Sequence, residues 1–180
     1  MMCQKAREST KQPWVFAYLT ALGEHIARSN NISTLSFLYM RGLGDSPVQT
    51  AFGSEKTNQE GQQAGFYRSF FQNSRLPGGT FVFALACHMI LSNVTLGQSP
   101  QQLVFGDSKA TDKNFEEWFR KTLDGLDEAD RSLLACAVAD LGTHSVRKYA
   151  FTFAENAIDG PPQPAVEIRG NHKQDGQKET

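Results

Sequence analysis

The sequence contains no run of about 18 apolar residues, the length a helix needs to cross a bilayer, so no membrane-spanning helix is expected. Residues 1–11 are polar and mixed in charge, unlike a secretory leader, which makes a soluble intracellular protein the expectation. Cysteine is scarce: Cys3, Cys87 and Cys136 are odd in number and far apart, which fits neither a disulfide framework nor a metal knuckle. Cys87 and Cys136 sit in apolar runs and read as core residues. The histidines His25, His88, His144 and His172 lack metal-ligand spacing, so no metal and no cofactor is expected. Basic residues are not in excess either, with 18 Lys and Arg against 19 Asp and Glu for a net charge of -1. Sequence-independent DNA affinity comes mainly from Lys and Arg neutralising phosphates, so composition alone does not suggest nucleic acid. What matters is whether the cations gather in one cleft.

A chain of 180 residues with 39% hydrophobic side chains is long enough for one sizeable core and short for two, so one domain is expected. No internal repeat is visible. Pro13 stands at a plausible first helical position, and strong helix formers follow to about Arg28, giving a buried helix that ends in Arg28-Ser29-Asn30-Asn31. Residues 32–40 are rich in β-branched and aromatic side chains, and Gly42, Gly44, Asp45 and Pro47 mark a turn before residues 48–54. Those two stretches read as strands of a small antiparallel sheet, with residues 64–71 as a third. Between the second and third, Lys56 falls at a hairpin tip. Thr80 is placed to cap an apolar helix through Ser92, and residues 111–123 are amphipathic, with Phe115, Trp118, Phe119 and Thr122 on one face. Residues 126–139 read as a further helix with an acidic start, helix resumes over 143–156, and a short last helix begins at Pro161-Pro162-Gln163-Pro164. The expected class is α+β: mostly helical, with a small three-stranded antiparallel sheet near the N-terminus.

The most informative string is Asp140-Leu141-Gly142-Thr143-His144-Ser145-Val146-Arg147-Lys148. On a helix, positions three apart share a face, so His144 and Arg147 can point at one oxyanion. Arginine offers a planar fork matched to phosphate oxygens, and histidine adds a hydrogen bond or shuttles a proton. An H-x-x-R string recurs by chance, and taken alone it reads equally as a satisfied histidine beside a solvated arginine. In the same spirit Arg28 reads as a charge at a helix C-terminus, Lys56 as an exposed turn residue and His172 as part of a polar tail.

The phrase from Leu141 to Lys148 closely resembles the second conserved box of tyrosine recombinases, nearest to the form in Crypton-type mobile elements. Further pieces occur in that family's order. Arg28-Ser29-Asn30-Asn31 resembles the first-box arginine at a helix end. Lys56-Thr57-Asn58-Gln59-Glu60-Gly61 resembles the hairpin that carries an active-site lysine, with Asn58 where an aspartate is usual. Ala84-Leu85-Ala86 fits the buried helix that follows. Gly160-Pro161-Pro162, then Val166-Glu167-Ile168-Arg169-Gly170-Asn171-His172, resembles the approach to the third box, with His172 in its His or Trp position.

The resemblance implies an integrase-like catalytic domain over residues 12–172, a disordered tail over 173–180, a nuclear setting and double-stranded DNA as the partner. In such enzymes a tyrosine attacks a DNA phosphodiester and preorganised cations stabilise the phosphorane. By the same resemblance Arg28 and Arg147 clamp the non-bridging oxygens and Lys56 protonates the leaving oxygen. His144 assists proton transfer and His172 hydrogen-bonds the phosphate. The family's nucleophile follows its third box, and residues 173–180 hold no tyrosine. Tyr149 lies about 200° around the helix from Arg147, where the family usually has glycine. The chain also starts after the point where the family's DNA-clamping domain would stand. The expectation is therefore a recombination and integration domain without a nucleophile, monomeric or weakly associated unless synaptic assembly is retained. Two other readings stay open: a non-catalytic DNA-binding module derived from a mobile element, and a helical protein-interaction domain.

Overall fold

The computed structural model describes residues 13–42, 47–52, 67–96, 99, 101–134, 136–158 and 160–169. Lys56 and His172 lie outside the described residues. The class is α+β and mostly helical, with a three-stranded antiparallel sheet near the N-terminus, as the sequence predicts. Helix α1, Pro13–His25, is the central element: every side chain from Val15 to Leu22 is buried, which suits a helix apolar on all faces. It packs against α3, Phe81–Leu91, and α6, Thr143–Asn156. Helix α4, Ser108–Asp124, adds a stripe of Thr111, Phe115, Phe119 and Leu123, spaced four apart and all buried. Asp107 caps its start by accepting from the Ala110 N–H at 2.8 Å.

The sheet pairs β1, Met40–Gly42, with β2, Val48–Thr50, and β2 with β3, Arg68–Phe70. Met40 faces Thr50, and Val48 faces Phe70. His25 docks the sheet onto α1. Its Nδ1–H donates to the Ala21 carbonyl and its Nε2 accepts from the Thr50 hydroxyl, both at 2.8 Å, inside a box of Phe52, Phe70 and Phe81.

Three boundaries differ from the sequence reading. The first helix stops at His25 rather than near Arg28, and Ser29–Ser33 forms a separate short helix, α2, where a strand was expected to begin. Strand β1 starts only at Met40, after a 3-10 turn over Phe37–Tyr39. Residues 126–139 do not form one helix but a short α5, Glu128–Ser132, and a 3-10 turn, Val138–Asp140. Cys87 and Cys136 are also not core residues: the first is half-buried and the second exposed.

The stop at His25 is the most consequential. Ile26 N–H bonds to the Gly23 carbonyl at 3.1 Å and Ala27 N–H to the Leu22 carbonyl at 3.2 Å, the paired bonds of a Schellman ending. That ending needs a left-handed residue, and the position is held by Ile26 with φ 52°. Glycine is usual there, because a β-branched side chain in this region costs roughly 1–2 kcal/mol.

The expected cap on α3 is present. Thr80 Oγ1 accepts from the Phe83 N–H at 3.4 Å and donates to Gln72 Oε1 at 2.9 Å. Thr80→Ala should lower unfolding free energy by about 1 kcal/mol, the usual worth of such a cap. A urea melt in which the variant matches the parent would show that the cap contributes nothing.

The last helix, α7, Gln163–Arg169, follows a tight corner at Gly160. A Cβ there would lie 2.7 Å from the Ala154 carbonyl oxygen and 2.9 Å from the Ala157 Cβ, so only glycine fits.

Candidate functional site

Helix α6 has one buried side chain, and it is Arg147. Burying a guanidinium costs heavily unless it is hydrogen-bonded. Its Nε donates to the Ile26 carbonyl oxygen at 2.9 Å, across a separation of 121 residues. The acceptor belongs to the strained residue that ends α1. Arg147 therefore holds the kink from which Arg28, two residues after Ile26, departs.

Arg28 stands as the residue before α2, with extended backbone (φ -78°, ψ 152°). It is three residues beyond the end of α1, so the reading of Arg28 as a charge on that helix's C-terminal dipole does not hold. A cation at the start of a helix gains nothing from the dipole. Its carbonyl accepts from the N–H groups of Asn31 and Ile32, at 3.0 and 3.2 Å, which leaves the side chain to the surface.

His144 is exposed, one turn before Arg147 on α6. Partial burial, and then the charges of Arg147, Lys148 and Arg28, hold its imidazole below the usual histidine range. The Arg147 guanidinium is itself held below its ordinary value by burial and by Arg28. Among the described residues, the charges that act on His144 are all positive. Arg28, Arg147 and Lys148 thus put positive charge around the His144 imidazole from two distant stretches of chain. Among the described residues no carboxylate pairs with Arg28, His144 or Lys148. The arrangement is asymmetric, since Arg28 and His144 reach solvent whereas Arg147 is 7% exposed.

Of the five residues singled out in the sequence, the structure brings Arg28, His144 and Arg147 together. Lys56 and His172 are outside its described part. Among the tyrosines, Tyr18 is fully buried and Tyr149 stacks on Phe153 at 6.0 Å on a different face of α6 from Arg147. Among the described residues no group of three or more His, Cys, Asp or Glu is placed to hold a metal ion. No described helix is long and apolar enough to cross a membrane.

A cavity of about 1250 Å³ lies on the Val146, Tyr149 and Phe153 side of α6 and is lined also by residues of α1 and α7. Its walls are mainly apolar, and Arg68 and Arg169 line it together with Glu24. Arg169 Nε donates to the Glu24 carbonyl at 2.7 Å, and Arg68 Nε donates to the Arg169 carbonyl at 3.2 Å. Sequence reading missed Arg68 altogether, because nothing in a strand pattern tells a buried arginine from an exposed one.

The chain matches no protein-family model, no curated protein and no solved structure.

Proposed function

We propose that Arg28, His144 and Arg147 form a binding site for one phosphodiester of double-stranded DNA, and that the chain is a recombination and integration domain of the tyrosine recombinase kind. The observation that carries this reading is the hydrogen bond from Arg147 to Ile26, which joins the two stretches that resemble the first and second boxes. In the proposed mode Arg28 and His144 contact the non-bridging oxygens from the surface, and Arg147 supplies buried positive charge behind them. Lys56 would protonate the leaving oxygen and His172 would donate to the phosphate, roles that rest on the sequence resemblance alone. Tyr18 is committed to the core and Tyr149 faces away from the cluster, so the site is read as one that grips the ester without a described nucleophile.

A labelled duplex titrated at several salt concentrations tests the reading. Affinity should fall as salt rises, and one clamped ester accounts for a roughly threefold to fourfold drop between about 50 and 200 mM, because each neutralised phosphate contributes close to one unit of slope. Arg28→Ala should weaken binding about tenfold and lower the slope by about one. Its folding should be untouched, since the side chain is exposed. A phosphate would also relieve the repulsion on His144, so affinity should rise as pH falls from 7.5 toward 6.5. Identical curves for parent and variant would falsify the assignment.

A second reading, a helical protein-interaction domain, is favoured by the apolar cavity with its two guanidinium groups. The occupant of matching chemistry is an amphipathic helix bearing an acidic residue beside Arg68 and Arg169. A titration that stays flat even at low salt leaves that reading in place of the first.

A further inference from the structure

Three side chains from three helices meet at the residue that follows Arg28. The Tyr18 hydroxyl, from α1, donates to the Ser29 backbone carbonyl at 2.8 Å and lies 2.9 Å from Ser29 Oγ. Ser29 Oγ, the first residue of α2, donates to the Asp112 carboxylate of α4, which the Tyr18 hydroxyl also approaches at 3.4 Å. Tyr18 has no accessible surface, and its ring sits among Trp14, Phe105 and Phe115 at centroid distances of 5.8, 5.1 and 4.5 Å. Phenylalanine would satisfy that packing. The hydroxyl earns its place through its links to Ser29 and Asp112, since a buried polar group without a partner is costly.

The arrangement fixes the peptide on one side of Arg28. Ile26, anchored by Arg147, fixes it on the other. A surface arginine flanked by two buried anchor points keeps its backbone direction even though its side chain is exposed. We propose that Asp112 is a positioning residue: acting through Ser29 and Tyr18, it aims Arg28 at the phosphate. The inference rests on the reading of Arg28, His144 and Arg147 as a phosphate site, and it assigns Asp112 no contact with DNA.

This role makes an unusual sign prediction. Asp112 is negative and lies close to a site for an anion, so on charge alone its removal should strengthen DNA binding. A positioning role requires the opposite. The test is a duplex-binding cycle on the full chain with Arg28→Ala, Asp112→Ala and the double variant, with melting temperatures recorded alongside. Asp112→Ala should weaken binding about fivefold in the parent and leave the Arg28→Ala background unchanged, because there is then no side chain left to aim. Asp112→Asn should recover most of the loss, since its amide oxygen still accepts from Ser29 Oγ. Tyr18→Phe removes only the hydroxyl, keeps the aromatic packing, and should reproduce the Asp112→Ala loss where that variant folds poorly.

The outcomes separate cleanly. Tighter binding by Asp112→Ala, or an equal loss with and without Arg28, overturns the positioning role while leaving the phosphate site intact. Parent and Arg28→Ala curves that coincide overturn the site itself and the inference with it.

Discussion

Arg147→Met should lower unfolding free energy by about 2 kcal/mol and remove most of the affinity for duplex DNA. The stability loss comes from the Ile26 carbonyl, and the affinity loss from that and from the missing buried charge. The Ile26 carbonyl loses its donor when the guanidinium goes, and a buried acceptor left unsatisfied costs about 1–3 kcal/mol. Methionine preserves the apolar stem, so the loss does not include a large cavity term. The carbonyl concerned belongs to a residue in the left-handed region, which persists only while its surroundings over-determine it. Without that restraint the ending of α1 relaxes and Arg28 no longer points where His144 does. Arg147→Lys provides the discriminating control. It keeps the charge but lacks Nε, and one ammonium cannot serve the Ile26 carbonyl and an anion in the same fixed geometry. Its salt slope should stay near the parent's while its affinity drops about tenfold or more. A methionine variant with parental affinity and slope would show that Arg147 is structural and that the site lies elsewhere.

The elements that depend on local chemistry were legible. Thr80 announces the start of α3, the His144 and Arg147 spacing places both on one turn of α6, and Gly160-Pro161-Pro162 marks the corner before α7. The elements decided by distant contacts were not. The end of α1 is invisible because Glu24, His25, Ile26 and Ala27 all tolerate helix. What stops the helix is a left-handed isoleucine held by a hydrogen bond from 121 residues away. By contrast the left-handed residue that follows α3, two positions after Leu91, is Asn93, φ 48°, a residue type known to tolerate that conformation. The strand expected to begin at residue 32 fails for a related reason. Ile32 has β propensity, but Ser29, pinned by Tyr18 and Asp112, starts a helical turn whose Ile32 packs into the core. Propensity on the scale of tenths of a kcal/mol yields to such anchoring.

The candidate site divides the same way. The pair on α6 follows from helical spacing, whereas the partnership with Arg28 came into view only through resemblance to a family's order of motifs. Asp112 carries no signal at all: in sequence it is one more acid on the polar side of an amphipathic helix. Its role is defined by contacts 83 and 94 residues away.

Acid should destabilise the fold through His25 before any carboxylate titrates in the ordinary range. The ring is fully buried, and burial, then the charge of Arg68, hold its pKa well below the usual value, with the bond to Ala21 opposing them and the charge of Arg169 adding a smaller push in the same direction as burial. An unfolded histidine titrates near 6.5. Below that pH the unfolded chain takes up a proton that the folded form refuses, so stability is complete above about pH 6.5 and declines as pH falls toward the folded value. The decline approaches about 1.4 kcal/mol per pH unit for one such group. His88, lowered by burial although its Nε2–H donates to the Val104 carbonyl at 2.9 Å, adds in the same direction. Glu24, raised by burial, opposes them, because its folded form takes up a proton first as pH falls. The His25 share is isolated by comparing urea midpoints of the parent and His25→Gln between pH 7.5 and 5.5. Glutamine offers a donor and an acceptor but does not titrate, so the variant should start less stable and show a shallower slope. Equal slopes would mean that the imidazole is not the acid-sensitive group. Since His25 immediately precedes Ile26, its protonation loosens β2 from the same α1 ending that Arg147 holds. DNA affinity should therefore rise as His144 begins to protonate on an anion, and then collapse at lower pH as His25 releases the kink.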